Sequence, residues 1–289
     1  MAEFKIVTDS LSDLPESYLK EHDVECMVLT CLIDGVEYNK DNKIGDKEFY
    51  DKIRAGALPT TSQINPAQAK ETFEKIYKDY TRILYIGGSS GISGTVQSGN
   101  NAAREFEEEH PECKVIVVDS LCASLGVGLL VDFAVKLRDE GKNIEDAARE
   151  LENLKGNIGH LFTVDDLFHL CRGGRVSKSA AVVGSVVGIK PLLHVDDEGK
   201  LVNIGKCRGR KKSLTSLVDM MEQRIGTYKE VDQKVFISHS DCLEDAKFVA
   251  DEVHERFGFE TQLINYIGPV IGSHTGVGTV ALFFLTDKR

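Results

Sequence analysis

The strongest constraint on this chain is a nine-residue run, Gly87-Gly88-Ser89-Ser90-Gly91-Ile92-Ser93-Gly94-Thr95, set directly behind Ile83-Leu84-Tyr85-Ile86. Four of the nine are glycines and four carry hydroxyls. The apolar tetrad predicts a buried strand, and the pattern from Val96 to Phe106 predicts a helix leaving the loop. A strand, loop and helix in that order aim free backbone N–H groups and the positive end of a helix dipole at one point. Glycine lets a ligand come close to the backbone. The expectation is an anion site with hydroxyl donors and no fixed charge of its own.

The same alternation of short apolar runs and amphipathic stretches extends through the first half. Lys5–Thr8 and Lys114–Val118 read as strands that end in Thr8-Asp9-Ser10 and Asp119-Ser120. A second strand is expected near Cys26–Leu32. Asp13 is expected to cap a helix over Leu14–Glu21 and Asp46 a helix over Lys47–Ala55. Pro59–Gln63 reads as a loop before a Pro66–Tyr80 helix. This pattern predicts a mostly parallel, Rossmann-like sheet in three layers, with ligands bound beyond its carboxyl edge. Lys155-Gly156-Asn157 is the expected boundary between a domain over 1–156 and a second over 157–289. The second half reads as α/β with antiparallel strands: a hairpin through Leu192–Val195 and Leu201–Gly205, then helix, strand and helix, then two closing strands around Gly272–Gly278.

Net charge is −11, from 35 basic and 46 acidic residues, which argues against broad binding to nucleic acid or anionic membrane. The local exception is Lys206, Arg208, Arg210, Lys211 and Lys212, either a solvated helix start or hairpin edge, or a patch for one phosphorylated ligand or one acidic partner. No apolar run reaches membrane-spanning length and no signal-peptide pattern opens the chain, so a cytoplasmic protein is expected. Seven cysteines without a Cys-x-x-Cys pair predict reduced thiols, and no cysteine or histidine cluster has zinc-ligand spacing.

Gly87-x-Ser89-x-Gly91 fits a nucleophile elbow, with His274 as base and Asp119 or Asp165 as third member. A serine hydrolase using Ser89 or Ser93 with His274 on a lipid ester is therefore one reading. The other is binding without catalysis. Thr60-Thr61-Ser62-Gln63, the glycine–serine loop and His274 together offer hydroxyls and one imidazole, a set suited to a single carboxylate, which a protonated His274 would help to hold. Arg172-Gly173-Gly174-Arg175 reads as a helix end or an anion contact. Ala180–Ile189 and Cys122–Leu130 are apolar and rich in small residues, the composition of close helix packing or of a lined apolar slot. Walker and dinucleotide motifs are absent.

In this order, Thr8-Asp9-Ser10, Pro59–Gln63, Ser89–Thr95, Arg172–Arg175, Lys190-Pro191 and Gly272–Gly276 resemble the DegV family. The resemblance spans nearly the whole chain. It implies a two-domain bacterial protein that binds one long-chain fatty acid, such as palmitate or oleate, between its domains. It further implies delivery of the acid to a separate ATP-dependent fatty acid kinase that forms acyl phosphate for phospholipid synthesis. By position, Thr61, Ser62, Ser93, the Gly94 N–H, His274 and Thr275 would hold the carboxylate. Arg172 would order the polar site, and Arg208 would touch the site or the kinase. The protein itself would be non-catalytic and use no cofactor, with at most transient membrane contact.

Overall fold

The computed structural model describes residues 3–165, 167–177, 188–231 and 233–289. The first half runs β1 (Lys5–Asp9), α1 (Glu16–Glu21), β2 (Val24–Met27), β3 (Thr30–Ile33), β4 (Val36–Tyr38), α2 (Asp46–Arg54), β5 (Thr60–Ser62), α3 (Pro66–Tyr77), β6 (Arg82–Gly87), α4 (Thr95–Glu109), β7 (Lys114–Asp119), α5 (Leu125–Asp139) and α6 (Ile144–Leu154). The second half runs β8 (Ile158–Thr163), α7 (Phe168–Arg172), β9 (Ile189–Val195), β10 (Leu201–Arg208), α8 (Arg210–Arg224), β11 (Val235–His239), α9 (Leu243–Phe257), β12 (Thr261–Tyr266), α10 (Pro269–Thr275) and β13 (Val280–Leu285).

Two main sheets result. The first is parallel, in the order β2-β1-β6-β7; the second is mixed, in the order β10-β9-β8-β13-β11-β12, with only β11 and β12 parallel. The chain passes from one to the other through the 3-10 turn Lys155–Asn157. On one face of the parallel sheet, Tyr85 and Val115 pack on Phe73 of α3 and Phe106 of α4. On the other, Phe4, Ile6 and Leu84 meet α5, which also touches Phe162 and Phe283 of the mixed sheet. The helix α5 is thus packed between the two sheets, and that is why its sequence is apolar on nearly every side. The outer face of the mixed sheet is closed by Leu217 and Met221 of α8 and by Val249 and Val253 of α9.

A third, three-stranded antiparallel sheet has the order β4-β3-β5. It corrects two expectations. The apolar run Cys26–Leu32 is two strands, separated at Val28 and Leu29 and paired in different sheets, because β2 follows β1 while β3 pairs with β4 and β5. Thr60–Ser62 is an edge strand on β3 and not a free loop. Two caps also differ. The helix α1 starts after Pro15, with Asp13 buried at φ +50° and turned away, and Gly45 precedes α2, so Asp46 is its first residue. Of Ala180–Ile189, all but Gly188 and Ile189 lie outside the described residues. Among those residues no helix is long and apolar enough to cross a membrane, and all seven cysteines are free thiols.

Candidate functional site

Adjacent parallel strands bring three polar strand ends together. Asp9, at the end of β1, accepts from the Gly88 N–H at 3.1 Å and from the Tyr85 hydroxyl at 2.6 Å. Asp119, at the end of β7, accepts from the Ser90 N–H at 3.1 Å. The glycine–serine loop is therefore clamped by carboxylates on both sides. Beyond it, Gly94 precedes α4, whose first N–H groups lack acceptors within the helix. Ser93 Oγ lies 2.9 Å from Thr95 Oγ1.

Next to this loop is a cavity of about 170 Å³. Leu11, Leu29, Phe162, Leu170, Ile271 and Phe283 form apolar wall; Thr61, Gln63, Ser93, Gly94, His274, Thr275 and Arg175 bring the polar groups to it. Thr61 Oγ1 and His274 Nε2 are hydrogen-bonded at 2.9 Å, which joins β5 to α10 across the site. His274 is thus a helix residue and not part of a loop. A Cβ on Gly173 would lie 2.2 Å from its Nδ1, so glycine is what lets the chain after α7 lie against the imidazole. That Nδ1 and Arg172 Nε are buried without a hydrogen-bond partner among the described residues.

Burial first, then the guanidinium groups of Arg175 and Arg172, push the His274 pKa down to about 4. The imidazole is neutral at pH 7, contrary to the expected cation. Arg175 supplies the charge instead. Its Nε donates to the Ile92 carbonyl at 3.2 Å and its Nη1 to the Gly173 carbonyl at 2.5 Å, while its guanidinium lines the cavity. The Arg-Gly-Gly-Arg motif pointed to this residue, yet the resemblance carried only Arg172 into the expected site.

The structure brings Thr61, Ser93, Gly94, His274 and Thr275 to one cavity and leaves three expected residues outside its lining. Ser62 is exposed on the face of β5 opposite Thr61, as strand alternation requires. Arg172 donates through Nη2 to the carbonyls of Pro59 at 2.8 Å and Ser273 at 3.0 Å, tying the start of β5 to α10. Arg208 is exposed at the end of β10, an edge strand, on the same face as Lys206.

The described residues assemble no hydrolytic triad. Ser89 is fully buried, with its hydroxyl donated to the Gly199 carbonyl at 2.8 Å. Asp119 accepts from the loop, and Asp165 pairs with Lys190 at 2.6 Å. His274 is flanked by cations, where a triad needs a carboxylate. Away from the cavity, Glu74, Glu109 and His110 bring possible metal-ligand atoms within 4.8 Å of one another, a grouping that sequence spacing did not reveal. Glu109 there is paired with Lys70 at 2.5 Å.

A family model described as an uncharacterised protein family, DegV, matches residues 3–287. The chain belongs to the DegV family. A DegV domain-containing protein of Clostridium perfringens is 45% identical over 291 residues, covering 100% of this chain and 99% of the relative. Among solved structures, a DegV family protein from Thermus thermophilus described by its fatty acid binding is 32% identical, with a TM-score of 0.87 over 99% of this chain and 100% of that one. A stearic-acid-binding protein from Eubacterium ventriosum is 26% identical, with a TM-score of 0.90 over 98% of each chain. The DegV fold is thus shared end to end with proteins described as fatty-acid binders.

Proposed function

We propose that this DegV protein is a non-catalytic carrier of one long-chain fatty acid. The observation that carries this reading is a single cavity with apolar walls and one polar side, where Thr61, Ser93, His274 and the start of α4 meet. The carboxylate is held by the hydroxyls of Thr61, Ser93 and Thr275, the Gly94 N–H and His274, with Arg175 as counter-charge. The acyl chain runs along the apolar walls, each buried methylene contributing about 0.8 kcal/mol. The tail supplies affinity and the head group supplies orientation. A donor set without an attacking base suits holding a carboxylate rather than cleaving an ester.

The acid is presented to a separate ATP-dependent kinase in the cytoplasm, which forms the acyl phosphate. Lys206, Arg208, Lys211 and Lys212 are all exposed, in a chain otherwise rich in acid, and suit an acidic face of that partner. In this reading the chain divides into domains over 1–156 and 157–289, with the ligand between them. Mass spectrometry of the purified protein, first native and then denaturing, tests the reading. The expected result is a bound mass that denaturation releases as a long-chain fatty acid. A protein that is empty and takes up neither added palmitate nor oleate refutes it.

A further inference from the structure

Asp13 is a buried carboxyl group that fatty-acid binding leaves without a task. It stands in the loop after β1, between two elements that shape the cavity. Its Oδ1 accepts from the Gly268 N–H at 2.9 Å, and its Oδ2 accepts from the Ser124 hydroxyl at 2.5 Å. Its backbone carbonyl accepts from Asn265 Nδ2 at 2.8 Å. Gly268 is the residue before α10, the helix that carries Val270, Ile271, His274 and Thr275 to the cavity. Ser124 precedes α5, lines the cavity itself and continues to Ser238 of β11 at 2.9 Å. Asp13 and Ser124 both hold positive φ, 50° and 53°, a conformation costly for a non-glycine residue unless its surroundings enforce it. One carboxyl group thus binds the starts of α5 and α10 together.

We propose that Asp13 is a positioning residue for the ligand site: its carboxylate fixes the start of α10, and so keeps His274 and Thr275 aligned with Thr61 and Ser93. The proposal rests on the fatty-acid reading above. Its second consequence is that affinity follows the charge of Asp13. The groups facing it are the Asp9 carboxyl from β1, the Asp46 carboxyl and Tyr50 phenol from α2, and the Cys26 thiol from β2. Burial first, opposed by the Ser124 and Gly268 hydrogen bonds and assisted by Asp46 and Asp9, raises its pKa to about 7. Asp13 therefore changes charge near neutrality, where His274 does not. Ionised, it accepts two charge-assisted hydrogen bonds; protonated, it has one oxygen that must donate. By reciprocity, fatty-acid binding releases protons in the same range.

The test is a fluorescence titration with cis-parinaric acid, an acyl chain that reports its own burial, between about pH 6 and pH 8. Wild type is expected to bind more tightly, by about fivefold, at the upper end. Asp13→Asn, which keeps the shape without the charge, is expected to show the weaker value at every pH. A second variant, Ser124→Ala, removes a bond that favours the ionised form and is expected to move the midpoint of the titration to higher pH. An Asp13→Asn protein with the wild-type slope, or an unmoved midpoint in Ser124→Ala, overturns the proposal alone. Absence of binding by wild type at every pH overturns the fatty-acid reading, and this proposal with it.

Discussion

At His274, burial and two neighbouring guanidinium groups act in one direction. As pH falls, an unfolded chain takes up a proton on this imidazole near its ordinary pKa of 6.5, while the folded protein resists down to about 4. The contribution to stability is therefore full above about pH 6.5 and is lost as pH falls toward 4, by at most about 3 kcal/mol. Urea unfolding across that range is expected to show a shallower acid limb for His274→Gln than for wild type. Thr61→Val leaves His274 Nε2 without its 2.9 Å partner and is expected to weaken fatty-acid binding about tenfold by titration. Gly173→Ala is expected to displace the imidazole and weaken binding at least as much. These roles were only partly legible. Hydroxyls, glycines and a late histidine could be picked out by type, whereas the charge state of His274 depends on guanidinium groups about a hundred residues away. Asp13 misled because, two residues ahead of Pro15, it has the spacing of a helix cap. Its actual partners, Ser124 and Gly268, are 111 and 255 positions away.

Among the elements, β5 and α10 depend on each other. A three-residue edge strand has little stability of its own, and β5 is held by β3 on one side and by the Arg172 staple to Pro59 and Ser273 on the other. Arg172→Ala removes both staple bonds and is expected to cost about 1–3 kcal/mol. Hydrogen exchange is the measurement, with faster exchange concentrated at Thr60–Ser62 and in α10. Longer elements were readable because buried parallel strands are largely apolar runs: β1, β6 and β7 fall where the pattern placed them. The corner at Val28 and Leu29 was not readable. Cys26–Leu32 is apolar but for Thr30, and only pairing with β4 and β5 shows that it changes sheets there. The short helix α10, with Pro269 at its first position, was hidden for a related reason: its glycine and hydroxyls resemble a loop.

Over the whole molecule, the titrations of Asp13 and His274 oppose each other. Asp13 holds its proton in the folded state up to about pH 7, so its contribution to stability is full below about pH 3.8 and is lost as pH rises through 7. Asp13→Asn is expected to unmask the rise that His274 produces, giving a steeper gain in stability from pH 4 to 6.5 than wild type shows in the same urea series. The Ser89–Gly199 bond ties the parallel sheet's loop to the β9–β10 hairpin in the same long-range manner. Ser89→Ala is expected to lose about 1 kcal/mol of stability yet bind fatty acid normally, and a fluorophosphonate probe is expected to leave wild type unlabelled. The Thr61–His274 pair has a consequence in time. Its partners are 213 residues apart, so a growing chain carries half of the head-group site long before the other half is synthesised. In the proposed carrier role, a ribosome-bound fragment that ends before α10 lacks His274 and is expected not to retain fatty acid, so that loading would mark a finished protein.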